Sequence, residues 1–128
     1  MVIDHPIIIA LGSNHKAQEN VAAAQKLLQG VFENVTFSKA IWTDAIETTN
    51  YCRYLNCVAW ATTSLSEEET VAKLKHIEHY CGDNRQLRAE NKVLLDLDLL
   101  FYQDHRLHEK DWTRPYIQQL TKAGKTEE

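Results

Sequence analysis

Val93-Leu94-Leu95-Asp96-Leu97-Asp98-Leu99-Leu100-Phe101 is an apolar run interrupted by aspartates at alternate positions. Its β-branched start and its period of two suit a β-strand, whose side chains alternate between faces. On a strand, Leu95, Leu97 and Leu99 point one way while Asp96 and Asp98 point the other, their bases roughly 6.6 Å apart. Carboxylates beside an apolar core call for a cation, because an uncompensated charge there is costly. Hard oxygens converging from one face suit Mg²⁺, which takes one or two carboxylates and completes its shell with water and phosphate oxygens. The plain alternative is an amphipathic strand with a wet acidic face, and alternation alone favours it.

Working outward, Pro6 opens Ile7-Ile8-Ile9-Ala10-Leu11, a buried-strand pattern broken by the turn residues Gly12-Ser13-Asn14. Residues 17–29 predict a helix with Val21, Ala24, Leu27 and Leu28 on one stripe and Gly30 as its stop. Residues 31–43 read as a second strand. Thr43 to Arg53 is a polar loop, and long loops in small domains often carry function. Tyr54 to Thr63 is a third strand. Ser66-Glu67-Glu68-Glu69 is a capping-box signature for a helix reaching about Cys81, with Val71, Leu74, Ile77 and Cys81 inward and Gly82 ending it. Asp83 to Lys92 is a second polar loop, and the small, charged tail from about Thr121 suits a fraying end. The order is β-α-β-β-α-β: an α+β, ferredoxin-like split βαβ fold, with an antiparallel sheet and helices packed on one face.

A length of 128 residues fits one domain spanning 1–128, and a hydrophobic fraction of 44% is ordinary for a globular chain. No apolar run approaches the ~20 residues of a membrane span, so no membrane partner is expected. Met1-Val2-Ile3-Asp4-His5 lacks the basic start and cleavage site of a signal peptide. A net charge of −4 argues against a nucleic-acid partner. Cys52, Cys57 and Cys81 show no CxxC spacing and read as reduced thiols, which suits the cytoplasm.

Ala10-Leu11-Gly12-Ser13-Asn14, Tyr54-Leu55-Asn56, Thr63-Ser64-Leu65-Ser66, Ile77-Glu78 and Leu95-Asp96-Leu97-Asp98 follow one another along the chain. In that order they resemble the 6-hydroxymethyl-7,8-dihydropterin pyrophosphokinase family of folate biosynthesis, over residues 7 to 116. The resemblance implies transfer of pyrophosphate from ATP to the hydroxymethyl group of a reduced pterin. It implies Mg²⁺ held by Asp96 and Asp98, with catalysis by positioning and charge neutralisation. It implies pterin contacts from Asn56, with Tyr54 and Thr43 shaping the pocket. Glu78, Arg85 and Arg88 fall on the nucleotide side, and Arg85 and Lys92 are the candidate catalytic cations. ATP and the reduced pterin are the expected partners, and the oligomeric state is left open.

The chain also departs from the family pattern. Thr43-Asp44 stands where Thr-Pro is usual, and Asp83 reverses the charge of the Arg that follows the helix-ending Gly. Glu90-Asn91-Lys92-Val93 replaces an aromatic-Gly-Pro-Arg element, so Lys92 offers a cation without the planar fork of Arg. Pro115-Tyr116 replaces Pro-His, and a later Arg-x-Phe element is unmatched. These losses point to slow turnover, or to a relative that binds pterin, nucleotide or a partner protein without chemistry. A third reading is an unrelated ferredoxin-like domain whose acidic strand is only surface, and Asp96 and Asp98 on the helix-covered side of the sheet would argue for it. His76 with His79, and His105 with His108, repeat a spacing of three but read as solvated surface.

Overall fold

The computed structural model describes residues 4–44 and 53–123. The isoleucine-rich segment forms β1 (His5–Ser13), followed by α1 (Ala17–Val31), β2 (Glu33–Phe37), β3 (Ile41–Asp44) and β4 (Arg53–Thr63). Then come α2 (Glu67–Tyr80), α3 (Arg85–Ala89), β5 (Asp96–Tyr102), β6 (His105–Arg106), a 3-10 turn (Asp111–Thr113) and α4 (Pro115–Ala123). All strand pairings are antiparallel, in the order β2-β4-β1-β5-β6 with β3 also against β4. α1 leads from β1 past β4 to β2, and α2 leads from β4 past β1 to β5. That is the expected split βαβ order.

The expected second strand over 31–43 is two strands. β2 pairs with the far half of β4 and β3 with its near half, and Ser38 stands at the break. Ser38 N donates to Val58 O at 2.8 Å, and Ser38 Oγ accepts from Val58 N at 2.9 Å. The serine hydroxyl replaces a ladder carbonyl where the chain bends, so no buried N–H is orphaned. α1 runs through Gly30 to Val31, because Leu28 and the cap residue Phe32 are both buried and hold its last turn. The sequence-level stop at Gly30 is therefore overruled by packing.

The capping box of α2 forms as the sequence predicts. Ser66 Oγ accepts from Glu69 N at 3.1 Å, and Glu69 Oε1 accepts from Ser66 N at 3.0 Å. Its inward residues are Thr70, Leu74, Ile77 and Glu78, while Val71 faces solvent. Thr70 takes the expected place of Val71 because its hydroxyl is satisfied locally, donating to Ser66 O at 2.7 Å. Gly82 ends the helix at a φ of 96°, in the region glycine enters without strain. α3 lies inside the expected polar loop, capped by Asn84, whose side chain accepts from Leu87 N at 2.8 Å. Its five residues bury no stripe, so no periodicity announced it.

β5 begins at Asp96 rather than Val93. Val93 instead exchanges hydrogen bonds with Asn14 (N to Oδ1 at 2.7 Å, and Asn14 N to Val93 O at 2.9 Å). From Asp96 the alternation holds as far as Leu100: Leu97 and Leu99 enter the core under α1 and α2, with Ile7, Ile9, Leu11, Leu28 and Leu74. A bulge at Leu100, opposite Ile8 and Ile9, then shifts the period, so that Tyr102 returns to the same core. The opposite face carries a second, smaller core of Val58, Leu100, Ile117 and Leu120, flanked by Trp60 and Trp112. Helices on one face thus describes α1 and α2, while α4 covers part of the other face and runs past Thr121 to Ala123. A stripe as short as Ile117 and Leu120 does not stand out in sequence.

Ser38→Ala removes the acceptor of a buried N–H, and urea denaturation is expected to show a loss of about 1–3 kcal/mol. Lys39→Ala, at an exposed neighbour, is expected to change stability by less than about 0.5 kcal/mol.

Candidate active site

The sheet face opposite α1 and α2 is built in rows. Gly12 of β1 lies between Asn56 of β4 and Asp96 of β5, and Ala10 lies between Val58 and Asp98. Thr43 of β3 pairs with Tyr54. A cleft of about 210 Å³ opens over these rows, lined by Gly12, Thr43, Tyr54, Asn56, Asp96 and Asp98. Asp111 and Arg114, just before α4, and Tyr116, in its first turn, close it.

Asn56 is buried and oriented by its neighbours: Nδ2 donates to Thr43 Oγ1 at 2.6 Å and to Tyr54 O at 3.3 Å. A Cβ on Gly12 would come within 3.3 Å of Asn56 Oδ1. The glycine lets the β1 backbone approach that amide closely, which a larger residue would obstruct.

Asp96 and Asp98 project from the same face, as the alternation predicts. This is the face away from α1 and α2, not the side those helices cover. Burial, joined by the charge of Asp96, pushes the Asp98 carboxyl up to about 6, against the opposing pull of Lys75. The cations that accompany the pair come round the free edge of β5. Lys75 Nζ lies 3.7 Å from Asp98 Oδ1, and Arg88 Nη2 lies 3.5 Å from Asp96 Oδ1.

That edge is finished by side chains where a further strand would otherwise pair. Glu78 Oε2 accepts from Leu97 N at 2.7 Å, and Lys75 donates to Leu97 O at 3.1 Å. Arg88 donates to Leu95 O at 3.0 Å, and Asp83 Oδ1 accepts from Leu94 N at 3.2 Å. Asp83 is buried and holds Arg88 Nε at 2.6 Å. The charge reversal after Gly82 is therefore an inward-facing structural acid.

Five of the residues singled out in sequence meet in the cleft: Thr43, Tyr54, Asn56, Asp96 and Asp98. Glu78 is buried behind β5 with its carboxylate engaged, and Arg88 reaches only the flank of Asp96. Arg85 lies exposed on α3, and Lys92 pairs with Glu90 at 3.5 Å; neither lines the cleft. Sequence reasoning missed Lys75, Asp111 and Arg114. Lys75 had a signal, one helical turn before Glu78 on α2. The Asp111–Arg114 pair, at 3.0 Å, had only a short spacing of mixed charge. His105 bridges Glu67 and Asp104 at 2.7 and 2.9 Å, and no group of three His, Cys, Asp or Glu among the described residues is placed to hold a metal. Four aspartates line the cleft, Asp44, Asp96, Asp98 and Asp111, the last paired with Arg114; the two that project side by side from β5, Asp96 and Asp98, suit Mg²⁺, which needs only one or two protein carboxylates.

Fold and cleft together define a ferredoxin-like domain with an acidic, asparagine-walled site on its open sheet face. The sequence model of the 7,8-dihydro-6-hydroxymethylpterin-pyrophosphokinase (HPPK) family matches residues 8–122. The chain belongs to that family. It is 31% identical over 121 residues to the folate synthesis bifunctional protein of Arabidopsis thaliana, covering 87% of this chain and 25% of that protein. It is 32% identical over 124 residues to the mitochondrial folate synthesis bifunctional protein of Pisum sativum, covering 89% of this chain and 24% of that one. The chain spans about a quarter of the length of these relatives.

A carboxyl raised by folding penalises the charged form, so its cost is absent below about pH 4 and complete above about pH 6. Asp98→Asn in metal-free protein is expected to raise stability at pH 7 by about 1–3 kcal/mol. The gain should vanish below about pH 4, where wild-type Asp98 is neutral. Thermal unfolding with chelator at the two pH values measures both.

Proposed function

We propose that the protein transfers the pyrophosphoryl group of ATP to the hydroxymethyl group of 6-hydroxymethyl-7,8-dihydropterin, with Mg²⁺. One observation carries this reading: Asp96 and Asp98 share a cleft with Thr43, Tyr54 and the oriented amide of Asn56. A buried primary amide reads the donor–acceptor edge of a flat heterocycle, and Gly12 leaves room beside it. Asp96 and Asp98 would hold Mg²⁺, which when bound supplies charge neutralisation and orientation of the triphosphate. The substrate hydroxyl oxygen bonds the β-phosphorus, the bond from that phosphorus to the oxygen bridging the α-phosphate breaks, and AMP leaves. The hydroxyl proton passes to solvent. Burial, with Asp111 nearby, pushes Tyr116 up to about 12, so its phenol stays a neutral hydrogen-bonding group on the cleft wall. Arg85 and Lys92 remain the candidate cations for the phosphate end. Free Cys57 and Cys81 support a reducing compartment such as the cytoplasm. No helix among the described residues is long and apolar enough to cross a membrane.

A second reading, ligand binding with little or no turnover, is favoured by Asp83. The family's usual Arg after the helix-ending Gly is here a buried acid bonded to Arg88, so that position offers no cation to a phosphate.

A coupled assay for AMP release with ATP, Mg²⁺ and the pterin tests the first reading, and no release at high enzyme concentration would leave only the second. Asp96→Asn and Asp98→Asn are each expected to abolish Mg²⁺-dependent nucleotide binding while preserving the fold. Equal nucleotide affinity in both variants would refute the metal role. Val93→Arg restores a cation at the clamp position and is expected to raise turnover by about tenfold or more; a flat response would show that this loss does not limit the rate.

A further inference from the structure

Lys75 is anchored independently of the aspartate it accompanies. Its ammonium donates to Glu78 Oε2 at 3.0 Å and to Leu97 O at 3.1 Å. Those two bonds hold it 3.7 Å from Asp98 Oδ1, beyond direct hydrogen-bonding distance. Glu78 is itself fixed, because its buried carboxylate accepts from Leu97 N. The positive charge therefore cannot leave when another cation arrives without breaking bonds that finish the β5 edge. We propose that Lys75 is a resident counter-charge that weakens divalent-cation binding at Asp98 and so sets the concentration at which the site fills. This rests on the reading that Asp96 and Asp98 take Mg²⁺.

The size follows from Coulomb's law. Bonded to Asp98 Oδ1 at the ~2.1 Å usual for Mg²⁺, an ion lies at most about 6 Å from Lys75 Nζ. Repulsion between a double and a single charge at that range, with water-like screening, corresponds to roughly a tenfold change in affinity. Lys75 is thus a positioning and tuning residue, acting through Asp98 and touching no substrate.

The test titrates the full chain with Mg²⁺ alone, by calorimetry and by thermal shift, at pH 8 and constant ionic strength. At that pH protons do not compete for the carboxylates, and constant ionic strength fixes the screening. Lys75→Gln removes the charge and keeps a donor for Glu78 and Leu97 O; its Mg²⁺ dissociation constant is expected to fall roughly tenfold. Lys75→Arg retains the charge and should stay within about twofold of wild type. Lys75→Met serves as the neutral variant if the glutamine chain fails to fold. A merely structural lysine would loosen the site when replaced, so unchanged or weaker binding in the neutral variant overturns the proposal. Asp98→Asn separates the two levels. If it abolishes Mg²⁺ binding while Lys75 variants show no gain, only this proposal fails; if binding survives it, the metal reading fails as well.

Discussion

The buried carboxylate of Glu78 on the amide of Leu97 is the contact on which the site depends. β5 is paired to β1 on one side, but on the other side its start at Asp96 and Leu97, with Leu94 and Leu95 just before it, has no strand partner among the described residues. Unpaired backbone groups at a half-buried edge cost free energy and invite foreign strands. Four charged side chains take the place of that strand: Lys75 and Glu78 from α2, then Asp83 and Arg88 from the segment after it. Because both members of the acidic pair lie on this strand, holding its edge also holds their spacing.

The same charges tie architecture to chemistry. A neutral strand would close the edge equally well, but it would bring no cations to Asp96 and Asp98. Burial raises the Lys75 and Arg88 environments' cost for charge, yet hydrogen bonds to Glu78 and Asp83 and the nearby aspartates outweigh it and keep both cations strongly basic. The cleft thus carries its compensation with it. On its other flank α4 packs over Val58 and Leu100 with neighbours that include Ile8, Ala10, Ile41 and Trp60, and its Tyr116 and Ile117 form one wall of the cleft, which stays open over the Gly12, Asn56 and Asp96 row.

Much of this was legible in the chain. Alternation in Leu95-Asp96-Leu97-Asp98 placed the acids together, because a strand has a strict two-residue period that neighbours rarely override. The Ser66–Glu69 box and the Gly82 stop were equally readable, since each depends on residues within one turn. The split of the second strand at Ser38, the passage of α1 through Gly30 and the short α3 were not. Each is decided by a partner far along the chain or by packing, as when Ser38 answers the backbone of Val58. The motif positions also did not reveal which polar residues face the cleft. Glu78 and Asp83 are charged and locally unremarkable, and only the fold turns them inward.

By itself the sequence determined the strand carrying the acidic pair and the order of its principal strands and helices. Local rules of period, capping and turn chemistry suffice for such features. The tertiary structure alone decided that Glu78 and Asp83 are edge acceptors, that Lys75 stands beside Asp98, and that α4 leaves the cleft open. Those outcomes depend on which backbone groups lack a partner once the sheet has formed, and no stretch of chain records that before it folds.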